Sequence, residues 1–164
     1  MKGYVAPLLI LSVLSCSLVT VKPTVPPRLG ADGRRLQETF FVSTCGMELK
    51  SALELPQFLF YAVPALVQAW FAPGNVRARY LPFDGFSLTS HRTLSAWRTE
   101  EDLMNFIRNG AHARAVENIP RFAVSARSLR LEMSDIPTFS EILPIWEEDA
   151  SFVFGGDSGV ERHF

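Results

Sequence analysis

His112 and Trp97 are the two side chains best placed to do chemistry, and both lie in the run from Thr93 to Val116. A neutral imidazole is a metal ligand and a proton acceptor, while an indole offers a broad apolar wall with one donor at its rim. Period-two counting along the strand that ends at Trp97 puts His91, Thr93, Ser95 and Trp97 on one face and Arg92, Leu94 and Ala96 on the other. The first face is polar but ends in a large ring. Thr99 and Asp102 then open a helix in capping-box fashion, and steps of about 100° place Leu103, Met104, Ile107 and Ala111 on its apolar side. Unbroken, that helix would hold His112 beside Asn105 and Arg108 in solvent. Asn109-Gly110 interrupts it, because glycine in the left-handed conformation ends one helix and frees the next to turn His112 beneath, toward Trp97. One imidazole is too few ligands for a bare metal ion.

Other reactive constellations are missing from the sequence. It holds no Gly-x-Ser-x-Gly, phosphate loop, Cys-x-x-Cys or His-Glu-x-x-His, and Ser158, the serine in a glycine-rich setting, falls in the C-terminal tail. Glu147-Glu-Asp149 reads as a solvated helix end, and Cys45 as a small buried hydrophobe within Phe40-Phe-Val-Ser-Thr-Cys45. A formal charge of −1 and a pI near 6.3, with arginines scattered among acids, argue against a nucleic-acid partner.

The elements that must position these residues begin at Thr39. Residues 1–21 read as a signal or targeting segment: Met1-Lys2 is basic and Tyr4 to Val21 is almost continuously apolar. Cleavage after Ser17, a weak lipoprotein-box match at Val13-Leu-Ser-Cys16, and retention as a membrane anchor are three readings of it. A cleaved signal implies the secretory pathway or an organelle, and a membrane partner is expected only if the segment is retained as an anchor. Residues 22–38, with Pro23, Pro26, Pro27, Gly30 and Gly33, read as a disordered linker. A strand over Thr39 to Met47, a helix from Pro56 to about Phe71 kinked at Pro64, a strand at Val76 to Tyr80 and a turn at Pro82-Phe-Asp-Gly85 come next. The Trp97 strand, the helix from Glu100, a strand at Ser128 to Met133 and a helix capped by Thr138 and Glu141 complete a domain over 39–150. Residues 151–164 are expected to be a disordered tail.

This order is α+β, the ferredoxin-like βαββαβ pattern. Helices cover one face of such a sheet, so the other, carrying either Leu94 and Ala96 or the His91 to Trp97 set, is expected to meet a second copy in a homodimer.

Ser95-Ala-Trp97, Thr-Glu-Glu-Asp102 and Gly-Ala-His112 resemble the antibiotic-biosynthesis-monooxygenase superfamily of dimeric α+β barrels, most closely its spheroidene-monooxygenase-like and uncharacterised small members. The resemblance spans about Thr39 to Met133. It implies a monooxygenase-like protein acting on or binding a large apolar or planar small molecule: haem, a carotenoid or a quinone-like compound. The alternative it leaves is a non-catalytic ligand-binding or structural dimer of the same fold. The haem-degrading members carry a similar Ala-His as axial ligand and a tryptophan against the porphyrin. By that likeness His112 is a catalytic residue and the haem-iron ligand, Trp97 a catalytic pocket wall, and Thr93 and Ser95 line the cofactor pocket. Where those members have an asparagine on the first strand this chain has Ser43, Thr44 and Cys45, a departure that bears on haem cleavage.

Overall fold

The computed structural model describes residues 38–82 and 87–155. The targeting segment, nearly all of the linker, the body of the Pro82-Phe-Asp-Gly85 turn and the tail beyond Gly155 lie outside the described residues. In chain order the elements are β1 (Phe40–Leu49), a single 3-10 turn (Ala52–Glu54), α1 (Leu55–Phe71), β2 (Asn75–Pro82), β3 (Ser90–Trp97), α2 (Glu100–Arg108), α3 (Gly110–Phe122), β4 (Ala123–Met133), α4 (Phe139–Asp149) and β5 (Ser151–Phe154). The strands form one sheet in the order β2-β3-β1-β4-β5, every neighbouring pair antiparallel. Its first four strands have the ferredoxin-like arrangement.

Local chemistry accounts for the boundaries. Pro56 occupies the first turn of α1, where its missing N–H costs nothing. Thr99 Oγ1 accepts from the Asp102 N–H at 3.1 Å and donates to Asp102 Oδ2 at 2.7 Å, closing the N-terminus of α2. At α4, Glu141 Oε2 accepts from the Thr138 N–H at 2.7 Å and from its hydroxyl at 2.8 Å. These two donors hold the Glu141 carboxyl below its ordinary pKa. Asn109 is extended and Gly110 has φ 65°, so the α2–α3 break falls where the glycine can take a conformation that a Cβ penalises.

Two expectations need correction. Residues 151–154 are not part of an unstructured tail: β5 pairs with β4, which would otherwise present an open row of backbone groups. The sheet face carrying Leu94 and Ala96 is not bare either. Those residues are 1% and 0% exposed, packed with Val42, Val76 and Leu129 beneath Ile142 and Trp146 of α4. Phe139, Ile142 and Trp146 turn one apolar side of α4 onto the strands, so this face already has a helical cover. Arg127 locks the helix in place, donating to the carbonyls of Trp146, Glu147 and Ala150 at 2.9–3.4 Å.

Candidate functional site

Register assigns the opposite face of the sheet row by row. Tyr80, Thr93, Cys45 and Ser128 lie abreast across β2, β3, β1 and β4, and the next row is Ala78, Ser95, Ser43 and Arg130. Neither row contributes a bulky aliphatic side chain. Beyond the first row, Met47 and Ala126 join Phe58, Ile119 and Phe122 in one apolar cluster, with Tyr80 half-buried against it. Beyond the second, Phe41 and Trp97 join Ala69, Leu103 and Phe106 in another. Helices α1 to α3 thus rest on the two ends of this face. Between the ends Thr93 is solvent-exposed although His91 and Trp97, its neighbours on the same face, are buried. The slot between the two covered ends is floored by the hydroxyls of Thr93, Ser95, Ser43 and Ser128, the Cys45 thiol and the exposed Arg130 side chain, with the Tyr80 phenol at its edge.

The residues singled out in the sequence converge on one end of this slot. Trp97 is 0% exposed, its Nε1–H donates to Ser95 Oγ at 2.9 Å, and its ring stacks on Phe106 at 4.9 Å between centroids. His112 lies on the far side of Phe106, 4.4 Å between centroids. The indole and imidazole are therefore joined through a phenyl ring and do not touch. Carbonyls only accept, so the 3.1 Å contact between His112 Nδ1 and Ile107 O fixes the proton on Nδ1 and turns the Nε2 lone pair away from the helix end. Gln68 of α1 holds the segment: Oε1 accepts from the N–H groups of Ala111 at 2.6 Å and His112 at 3.0 Å, and Nε2 donates to Asn109 O at 3.0 Å. A residue of another helix thereby caps α3.

Sequence reasoning missed a second pair, Tyr80 and His91. The phenol oxygen lies 2.7 Å from His91 Nδ1, and the imidazole stacks on Phe58 at 4.5 Å between centroids. Period-two counting places His91 on this face, but its partner on β2 emerges only from cross-strand register. Burial raises the Tyr80 pKa and lowers that of His91, the latter opposed by the Leu88 backbone and Glu48. Burial also lowers His112, opposed by the Ile107 carbonyl, and pushes the Cys45 thiol up to about 11. At neutral pH the slot thus holds a thiol and neutral imidazoles.

These histidines set a pH dependence. Both have folded pKa values below the ordinary 6.5, so below 6.5 the unfolded chain takes up protons that the folded one resists. Stability is full above that value and falls as acid carries the pH toward the lower folded values. The melting temperature is expected to drop between about pH 7 and pH 5 and to drop less in His112→Ala. An identical slope in parent and variant would remove His112 from the explanation.

No family model matches the chain and no curated protein sequence is similar to it. Solved structures do match. A Nitrosomonas europaea protein described as a putative antibiotic biosynthesis monooxygenase aligns with TM-score 0.53 at 13% identity, over 61% of this chain and 95% of its own. A Shewanella oneidensis protein aligns with TM-score 0.53 at 8% identity, over 60% and 93%. A further antibiotic biosynthesis monooxygenase aligns with TM-score 0.50 at 11% identity, over 59% and 99%. The chain has the antibiotic-biosynthesis-monooxygenase fold. Within this antibiotic-biosynthesis-monooxygenase fold, Trp97 and Gly-Ala-His112 occupy the strand end and helix break expected from the sequence.

Haem does not fit between them. Phe106 fills the space from the indole to the imidazole, and the sealed indole offers no face to a porphyrin. His112 is oriented as an axial ligand would be, through its carbonyl-bound Nδ1, but the wall that should face it is core. Among the described residues, no group of three His, Cys, Asp or Glu is arranged to hold a bare metal ion.

Proposed function

We propose that this chain is a monooxygenase-like protein that takes a planar, largely apolar phenol or quinone-type molecule into the slot between its sheet and its helices. One observation carries the reading: Thr93 is solvent-exposed in mid-sheet, between two aromatic clusters and beside Ser43, Cys45, Ser95 and Ser128. A flat ring suits a space walled by aromatic residues, and ligand oxygens suit a floor of hydroxyls. Oxidation of such a molecule, with dioxygen as the electron acceptor, starts with loss of its phenolic or enolic proton. Tyr80 and His91 lie beside that floor as a proton acceptor: Tyr80 takes the ligand proton as its own passes to neutral His91 Nδ1. Cys45 remains a thiol and serves as a weak donor, not a nucleophile.

The test is titration with 1,4-dihydroxyanthraquinone followed by tryptophan quenching. Thr93→Phe, which fills the slot from an exposed position, is expected to weaken binding at least about tenfold, or about 1.4 kcal/mol, with little change in melting temperature. Equal affinity in parent and variant would sink the reading. Binding with the ligand recovered unchanged in air would leave the non-catalytic alternative standing. Haemin run in parallel is expected to give the same Soret spectrum with parent and His112→Ala.

A further inference from the structure

We propose that the outer face of α1 is a membrane-docking surface that lays the domain flat on a lipid bilayer, independently of the slot and its ligand. The helix Leu55–Phe71 contains no charged residue in its 17 positions. Such a helix belongs inside a protein, yet this one lies at the surface. Its exposed residues are Pro56, Phe60, Val63, Pro64, Val67 and Phe71, which steps of about 100° gather into one stripe. The larger side chains are far from marginally exposed: Phe60 is 73% and Phe71 82% accessible, and Leu53, just before the helix, 88%. The opposite side of α1 is already committed, with Phe58, Ala65 and Ala69 buried in the domain.

Lipid suits this stripe better than a second copy does. A helix about 25 Å long and about 10 Å across offers a few hundred Å², short of the ~800 Å² each partner buries in a specific interface. A protein interface also carries roughly one hydrogen bond per 100–200 Å², and the stripe has no side-chain donor or acceptor to make one. Lipid requires neither complementarity nor hydrogen bonds, only apolar side chains to sink to the acyl boundary. Beside the stripe, α3, which is tied to α1 through Gln68 and Tyr61, exposes Arg114 and Arg121 against a single acid, Glu117. That balance suits anionic headgroups. No helix among the described residues is long and apolar enough to cross a membrane, so α1 rests in the interface.

The experiment uses the full chain and a position-specific readout, because the apolar run from Tyr4 to Val21 could bring any variant to a vesicle. Phe60→Trp, Phe71→Trp and, as control, Phe152→Trp on β5 are mixed with phosphatidylcholine–phosphatidylglycerol vesicles bearing brominated acyl chains. The added indole at 60 and 71 is expected to shift to the blue and lose about half its emission, as it would when carried about 5–10 Å into the headgroup boundary. Position 152 should change little. No quenching at 60 and 71 beyond that of the parent overturns the proposal, as does equal quenching at 152. A concentration-dependent blue shift without vesicles overturns it in favour of a second copy of the chain.

Discussion

Replacing Trp97 by alanine is expected to cost about 3–5 kcal/mol and to lower the melting temperature by on the order of 10–20 °C. The side chain is completely enclosed at the junction of β3, α1 and α2, stacked on Phe106 and tied by its ring N–H to Ser95. Collapse around the vacancy is resisted on one side by the sheet. Trp97→Phe keeps most of the packing and loses the hydrogen bond, a change of about 1 kcal/mol. Thermal melts of the pair, with anthraquinone titrations of Trp97→Phe, separate two roles. Loss of stability with unchanged affinity marks a core residue, and loss of affinity at parental stability would mark a ligand wall. The enclosure predicts the first.

Trp146→Ala should be comparably costly, about 3–5 kcal/mol, because this indole holds α4 on the sheet. Guanidinium groups lie over it from Arg92, 4.0 Å from a ring centroid, and from Arg127, 4.6 Å away. Beneath it is Gly46 of β1. A Cβ there would overlap Trp146 Cζ2 and stand 2.8 Å from Cη2, and the arginines leave the ring little freedom to retreat. Gly46→Val should therefore cost about 1–3 kcal/mol in the parent and much less once Trp146 is alanine. A double-mutant cycle by denaturant unfolding checks this: independent costs would mean that the glycine is not selected by the indole.

Much of this architecture was legible because its signals are local. Thr99 with Asp102, Thr138 with Glu141 and the Asn109-Gly110 break each act within a few residues, and each lies where its chemistry places it. β5 was not legible: Ser151–Phe154 is four residues long and is a strand only because β4 offers it an edge. β4 itself begins at Ala123, earlier than the alternation at Ser128 suggested, since the small residues between carry no clear period. The slot was half legible. Thr93 and Ser95 follow from counting along one strand, whereas Tyr80, Cys45 and Ser128 join them only through register, which is tertiary. For α1 the apolar spacing identified Phe58, Leu59, Ala62, Leu66 and Trp70 as facing the domain. A helix apolar all round has no polar side to betray what its outer stripe does.

The place of β1 in the sheet has a consequence for biosynthesis. The strand at the centre of the sheet is the first to be synthesised, and its neighbours arrive late: Ser43 meets Ser95, 52 residues on, and Arg130 farther along still. Until β3 emerges both edges of Phe40-Phe-Val-Ser-Thr-Cys45 stand open, and one stays open until β4 is delivered; the loop closures that seal them are long and slow. The emerging chain is thus held back from folding by its own topology. The central strand is therefore exposed to wrong pairing for most of the chain's synthesis.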